Sequence, residues 1–486
     1  MVKAVVGEES RLQLAEDRLA QSAVPAQVGL VIGKLSSKLD RGFIFDLVPT
    51  PPNDAGEPPC SIIEPVKEDN KKKGSSKPKS TADSSSLFID KDWVAEHARQ
   101  VARMLVGGIK VVGIYVWVGE TAFKNSTLIL CQTVKGVADA APLSESGWDE
   151  RLLVHISYSP RRWTCRNCSL ASNITSSSLR PCDFKMGRVL NSIQTFKCMY
   201  SFDIRLPIYR ENLLDGKTLN DVLQDGISFH AKELRGAKAL VDGNLVDVIE
   251  DEPSTSDDVH EVELLLPLLN DASLGASSQK EIGGILVYSG CVCSYAYLYS
   301  KEPVSQALTD IKEDIITSLR SRLDIISDEA EREAAAAAED DMEINNKISA
   351  YQTIIQPLRK QCILPFPRRV FIPWHAGIYA CDYLLPSESF EALKDHFVEL
   401  LAMEAPKDDS TLVEVEKEIL SLTAKSFWDV TTPSYQASVT SKGRNGTVKA
   451  DAKKSSTGMN FNGMFAGIVL LISILLGLLL FSSSSG

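Results

Sequence analysis

Apolar residues along this chain recur at two periods, and each period predicts a different element. From Leu12 to Ala23, and again from Lys91 to Leu105, they return every three to four residues, the spacing of a helix with one buried face. The second of these places Trp93, His97, Val101 and Met104 on one stripe, with Asp90 at its start as an N-cap and Gly107-Gly108 at its end. A longer stripe, Ile311, Ile315, Leu319, Leu323 and Ile326, predicts a helix over Pro303–Ser327. Further helices are predicted over Ala122–Ala138, Phe390–Met403 and Leu412–Leu422, the last from Leu412, Val415, Ile419 and Leu422.

Short apolar runs rich in β-branched and aromatic residues predict strands. VGLVIGKL (Val28–Leu35) and GFIFDLV (Gly42–Val48) read as a pair, stopped by Pro49, Pro51 and Pro52. IKVVGIYVWV reads as a buried strand, and RLLVHISYS, RRWTCRNCSL, FKCMYSFDIRLPI, VELLLPLL, GGILVYSGCVCSYAYLYS, LPFPRRVFIPW and YACDYLLP add β-structure. The order strand, turn, strand, long helix occurs at 28–105 and at 284–327, which leaves a duplication open.

The expected class is α/β (α+β), in two units. Residues 1–57 and 87–215 form the first, interrupted at 58–86 by a polar insert with a KKKG run and many serines that is expected to be disordered. Residues 216–404 form the second, with an acid- and Ala-rich loop at 328–346. An amphipathic region at 405–430 and a polar linker at 431–464 follow. Phe465–Phe481 is apolar on every face and has no charge, so a C-terminal transmembrane helix is expected at 465–481. Its span of roughly 25 Å at ~1.5 Å per residue suits the thin bilayer of the endoplasmic reticulum. Lys442, Arg444, Lys449, Lys453 and Lys454 precede it against Asp451 alone, which puts that flank in the cytosol. The reading is a tail anchor, with the bulk of the chain cytosolic.

Composition narrows the function classes. The 486 residues carry a net charge of −12, which disfavours general nucleic-acid binding. Ten cysteines spread thinly suit a reducing compartment better than a secreted scaffold. The N-terminus has neither the apolar run of a secretory signal nor the acid-poor character of a transit peptide.

Candidate chemistry is sparse. GLVIGK (Gly29–Lys34) is one residue short of a phosphate loop, and Leu35 stands where a magnesium-binding hydroxyl is needed. CRNC (Cys165–Cys168), with Cys182 and Cys198 downstream, supplies four thiols for a structural zinc, against a reading as buried or free thiols. Cys291 and Cys293 fall on one strand face, as core packing. The six histidines, His97, His155, His230, His260, His375 and His396, include no HxH or HExxH spacing, and there is no GxSxG elbow. No catalytic residue, cofactor site or metal site is assigned.

The order of the first 130 residues, a helix, then VGLVIGKL, FIFDLVPTPP and WVAEHARQVARMLVGGIKVVGIYVW, is similar to the MPN fold. Active MPN members hold zinc with two histidines and an aspartate, and a glutamate acts as general base on the bound water. Anchored on Val112-Gly113-Ile114-Tyr115, the resemblance puts Ala26 at the glutamate, Val116 and Val118 at the histidines and Ile129 at the aspartate, and keeps only Ser126. It therefore implies a catalytically inactive frame.

The whole chain resembles the odorant response abnormal protein 4 (odr-4) family, as a plant member. DKDWVAEHARQVARMLVGGIKVVGIY, YLYSKEPVSQALTDIKEDIITSLRSRLDI, LPFPRRVFIPW, ACDYLLPSES and the C-terminal anchor carry this resemblance. It implies a non-enzymatic adaptor at the endoplasmic reticulum membrane. The expected partners are a cytosolic cysteine protease of ubiquitin-fold modifier, receptor membrane proteins of the G-protein-coupled class, and the lipid bilayer. The competing readings are a structural zinc protein and a membrane-fusion protein of the SNARE kind. The latter needs heptads up to its anchor, and Thr431–Thr457 has none.

Overall fold

The structure is a computed structural model that describes residues 2–36, 39–64, 85–143, 149–170, 175, 178–209, 218–246, 259–267, 282–339, 363–375, 377–385, 387–404, 416 and 421–426. Two sheets organise these residues, and the class is mixed α/β.

The first sheet is a closed barrel in the order β1-β3-β2-β6-β7-β8-β9. Its strands are β1 (Ala4–Glu8), β2 (Gln27–Ser36), β3 (Arg41–Pro49), β6 (Lys110–Trp117), β7 (Glu150–Tyr158), β8 (Arg161–Ser169) and β9 (Leu179–Gly187). Sequence pattern missed β1, a run of only five residues, which closes the barrel by pairing in parallel with both β3 and β9. The apolar runs of β2, β3 and β6 are continuous rather than alternating because both faces are covered. Val31, Ile44, Val112 and Tyr115 pack on Leu12, Ala15 and Leu19 of α1 (Glu9–Gln21). Leu30, Phe45, Ile114 and Val116 pack on the opposite side against α2 (Lys91–Met104) and α4 (Thr127–Ala140). Asp90 caps α2 as expected, its carboxylate accepting the Trp93 N–H at 3.0 Å.

Three glycines are dictated by close approach. A Cβ on Gly113 would stand 1.9 Å from the Leu152 carbonyl oxygen of the neighbouring strand, so only hydrogen fits there. Gly107 and Gly108 adopt φ of 69° and 82°. A side chain on Gly107 would meet the Tyr297 ring, and one on Gly108 the Asp310 carboxylate.

The helix predicted over Ala122–Ala138 is two helices, α3 (Glu120–Asn125) and α4, broken at Ser126. The ends of the predicted disordered insert are ordered. β4 (Cys60–Ile63) and β5 (Ser86–Ile89) pair antiparallel, because their apolar residues have a core beside them; Cys60, Leu87 and Ile89 are buried in it. Residues 65–84 lie outside the described set.

The second sheet runs β12-β11-β13-β10-β14-β18-β15. It consists of β10 (Ile193–Tyr209), β11 (Lys238–Val241), β12 (Asn244–Leu245), β13 (His260–Leu265), β14 (Ile282–Tyr299), β15 (Ile363–Pro365) and β18 (Ser421–Ser426). Helices α5 (Leu219–Arg235) and α6 (Val304–Glu339) cover one face. The expected stripe Ile311, Ile315, Leu319, Leu323 and Ile326 is buried there. The long strand β10 already belongs to this sheet, upstream of the expected boundary at 216, since it pairs with β14 from Ile193↔Tyr299 to Tyr209↔Ile282. β14 is also one uninterrupted 18-residue strand. The two-strand pattern on which a duplication would rest is therefore absent at 284–327.

Two further expectations change. The acidic segment predicted as a loop from 328 continues α6 to Glu339, because alanine and glutamate are among the strongest helix formers. The helix predicted over Leu412–Leu422 is overturned at its end. Ser421 and Leu422 start β18, which fills the gap between β14 and β15 with ladder hydrogen bonds; Leu422 pairs with Tyr288 on one side and Leu364 on the other. Apart from Glu416, the rest of that range lies outside the described residues. The hairpin of β16 (Arg368–His375) and β17 (Ile378–Leu384), followed by α7 (Phe390–Leu401), packs on α2. The linker at 431–464 and the anchor at 465–481 lie outside the described residues, among which no helix is long and apolar enough to cross a membrane.

Candidate functional site

The positions that the MPN resemblance assigns to zinc chemistry converge on the barrel wall beneath α3 and α4. Ala26, Val116 and Val118 are fully enclosed in the apolar core, and Ile129 packs against it from α4. None of these side chains has a lone pair to offer a cation. Ser126 is buried at the α3–α4 break, and its Oγ accepts the Leu87 N–H of β5 at 2.6 Å. A hydroxyl that would face a ligand in an active member here ties β5 to the α3–α4 break.

Polar groups do gather beside Val118. The His155 ring on β7 donates from Nε2 to the Val118 carbonyl oxygen at 3.0 Å. It stacks on Phe123 at 4.0 Å between centroids, and the Arg166 guanidinium lies 4.5 Å over the Phe123 ring. Glu120 Oε2 stands 3.8 Å from His155 Nδ1. Burial pushes the His155 pKa down, so the ring is held neutral. One imidazole and one half-exposed carboxylate make two donors, short of the three protein ligands of a catalytic zinc site.

The four thiols considered for zinc divide between opposite faces and different sheets. Three residues apart on one strand, Cys165 and Cys168 point to opposite sides of β8. Cys165 faces Cys182 across β8–β9, in the core beneath α1. Cys168 sits on the other face beside Cys131 of α4, with which it shares a thiol–thiol hydrogen bond. Cys198 lies in β10 in the second core, where burial pushes its thiol up to about 12. Among the described residues no three histidine, cysteine, aspartate or glutamate side chains cluster as a metal would need. Cys291 and Cys293 share a strand face as expected, with Cys293 the buried one.

His97 is the core histidine its helix face implied. Its Nε2–H donates to the Leu400 carbonyl oxygen at 2.9 Å and its Nδ1 accepts from the Thr50 hydroxyl at 3.2 Å. Burial pushes its pKa down to about 4. The other histidines mostly pair with acids or hydroxyls: His230 with Tyr200 and Glu233, His260 with Asp242, His375 with Asp46 and His396 with Asp382.

The densest chemistry is one that sequence reasoning missed, namely buried ion pairs, one of which joins the barrel to the second sheet while the others tie α6, β16 and α1 into the core. Lys34, from the rejected phosphate-loop motif, reaches out of β2 to the start of α6. Its ammonium donates to Asp310 at 2.8 Å and to the Tyr297 carbonyl oxygen at 2.9 Å, with Glu302 at 3.3 Å. Burial alone would lower the Lys34 pKa; Asp310 and Glu302 outweigh it and hold the ammonium above its usual value. Deeper in, Arg369 binds both oxygens of Asp314 at 2.8 Å, and Arg322 grips the Glu416 carboxylate at 2.8 and 2.7 Å. Asp46 of β3 accepts from Arg11 and from His375, both at 2.8 Å. The available signal was a charge set inside an apolar run, Lys34 in GLVIGKL and Asp46 in FIFDLV; the partners are too far along the chain for any local pattern to name.

The sequence model of a family described as odorant response abnormal 4-like matches residues 29–412. Among curated relatives, a protein odr-4 homolog of Mus musculus is 27% identical over 411 residues, covering 80% of this chain and 81% of the relative. That of Xenopus laevis is 24% identical, covering 85% and 86%. That of Homo sapiens is 26% identical, covering 79% and 80%. Among solved structures, the crystal structure of UfSP from C. elegans is similar at a TM-score of 0.39 and 8% identity, over 86% of this chain. This chain spans 60% of that one. With the family model extending from β2 to beyond α7, the chain belongs to the odorant response abnormal 4-like family.

Proposed function

We propose that this chain is a non-catalytic adaptor with an MPN-like frame. In this reading the C-terminal segment 465–481 holds it at the endoplasmic reticulum, where it recruits a cytosolic cysteine protease of ubiquitin-fold modifier. The observation that carries the non-catalytic part is the apolar filling of the would-be metal positions, Ala26, Val116, Val118 and Ile129, inside a packed core. Converting such a wall into a zinc site would require three buried ligands with their own hydrogen-bond partners, and beside it stand His155 and the half-exposed Glu120, one donor short. Family membership supports the adaptor role. The uncharged run from Phe465 to Phe481 and its basic flank support the anchor. Anchoring would raise the partner's effective concentration near membrane substrates without new catalytic contacts.

The test is to fractionate cells with and without the protein and follow the protease. The membrane-bound share of the protease is expected to fall when the protein is absent, and to stay low when it is replaced by a variant lacking residues 460–486. An unchanged share sinks the recruitment reading and leaves assistance to receptor trafficking as the better one.

A further inference from the structure

The barrel brings two thiols face to face one strand from its closing seam. Cys165 of β8 and Cys182 of β9 are direct partners in the antiparallel register, flanked by Arg166↔Pro181 and Asn167↔Arg180. Directly opposed residues of an antiparallel pair keep their Cα atoms about 4.5–5.5 Å apart. A disulfide spans about 4.4–6.8 Å between Cα atoms, so the pair stands within the reach of one. The register sets both side chains on one face of the sheet, where the two thiols are hydrogen-bond neighbours. Cys182 in turn donates to the Val2 carbonyl oxygen at 3.5 Å.

The two thiols differ in access. Cys165 is buried, whereas Cys182 is half-buried on a strand whose Arg180, Pro181 and Asp183 are exposed. A reagent in solution meets Cys182 first. The hydrogen bond from Cys165 holds the Cys182 thiol below its usual pKa, which raises its thiolate fraction, and the same bond with burial holds Cys165 above. An accessible attacker beside a sheltered resolver is the arrangement that two-step thiol exchange requires. Cys131 and Cys168 are also hydrogen-bond neighbours but are both enclosed in the core, so they serve as an internal comparison.

We propose that Cys165 and Cys182 form an oxidation site, joined as a disulfide when the chain meets a small-molecule disulfide of the glutathione type. The Cys182 thiolate attacks one sulfur of oxidised glutathione, forming a mixed disulfide and releasing one glutathione thiolate. The Cys165 thiolate then attacks Cys182 Sγ and expels the second glutathione. Two thiol protons leave the protein and end on the two glutathione thiols; the protein loses two electrons and the small disulfide gains them. The new bond staples β9 to β8, and β9 is the strand on which β1 closes the barrel. The S–H donor to the Val2 carbonyl is given up in exchange.

The test uses the reduced full-length protein, incubated folded with oxidised glutathione, quenched by alkylation, digested and read by mass spectrometry. The expected result is a peptide pair linked through Cys165 and Cys182, with Cys131 and Cys168 recovered as alkylated thiols. Cys165→Ser should stop at the mixed disulfide, with one glutathionyl group retained on Cys182. Absence of the linked pair from the wild-type digest, with Cys165 and Cys182 recovered as free thiols, overturns the proposal. So does a Cys165→Ser protein that carries no glutathionyl group on Cys182. The wild-type arm reads the bond directly, so a variant that folds poorly does not decide the matter.

Discussion

Replacing Lys34 by methionine isolates the ion pair that joins barrel to sheet. The aliphatic stem keeps its packing, while two buried carboxylates lose their counter-ion. Glu302 is 1% exposed and Asp310 12%. Breaking a buried pair by removing one partner costs about 3–5 kcal/mol, most of it the desolvation of the charge left behind. The lower end is expected here, because each acid keeps a donor: Gln306 Nε2 to Asp310 at 3.0 Å, and the Tyr299 N–H to Glu302 at 3.1 Å. Urea unfolding followed by tryptophan fluorescence should therefore show Lys34→Met less stable by about 3 kcal/mol. The triple variant Lys34→Met/Glu302→Gln/Asp310→Asn should regain most of that loss, since no charge remains to be stranded. Lys3→Met, which removes an exposed pair with Asp40, serves as the control and should change nothing measurable. The direction of the Lys34 shift gives a second check. A lysine whose folded pKa is raised contributes fully below its unfolded value of about 10.4 and loses that contribution only as pH climbs through the higher folded value. The pair should thus persist across the neutral range. A loss below about 1 kcal/mol for Lys34→Met, or a triple variant no better than the single, refutes the reasoning.

His97 should make stability fall on mild acidification. Its folded pKa of about 4 lies below the unfolded value of about 6.5, so its contribution is intact above pH 6.5 and is lost as pH drops toward 4, by up to ~3 kcal/mol. His97→Gln should flatten that part of a stability–pH profile, and an unchanged slope would show that the ring is not held neutral. Gly113→Ala should lower Tm, at a cost of about 1–3 kcal/mol or more, because the added methyl meets backbone oxygen that cannot swing away. An unaltered Tm by calorimetry would mean that β6 and β7 part easily at that point.

Elements with a strong local period were legible before any coordinates. The α2 cap and face, the α6 stripe and the β2–β3 pair all follow from residues close in sequence. That Val116, Val118 and Ile129 offer a cation no donor was legible too, because it depends on identity alone: a valine has no lone pair wherever it lies. What could not be read was set by distant pairing. Ser421–Ser426 became a strand because β14 and β15 left an unfilled ladder between them, and its own residues carry no strong β signal. Cys165 and Cys168 carried a zinc reading against one as buried or free thiols until strand geometry sent them to opposite faces, and the partner of Cys165 proved to be Cys182 on the neighbouring strand. Lys34 looked like a failed phosphate loop because its acids lie far downstream, Glu302 just before α6 and Asp310 on it.

Strand β14 belongs to two cores at once. Cys293, Tyr295 and Tyr297 are buried among the barrel-side residues, while Val292, Ala296 and Leu298 are buried under α5 and α6. A shared wall of this kind makes the two layers thermodynamically inseparable, since melting either one strips half the contacts of a strand the other needs. The chain up to Val430 should therefore lose its structure in one calorimetric transition rather than two. It also sets an order of assembly during synthesis. The barrel can close once β9 has emerged, but the outer wall of its core stays bare until β14 arrives a hundred residues later, exposing apolar surface in the interval. Any fragment that ends between the two strands inherits that bare wall permanently, and insolubility is its expected fate.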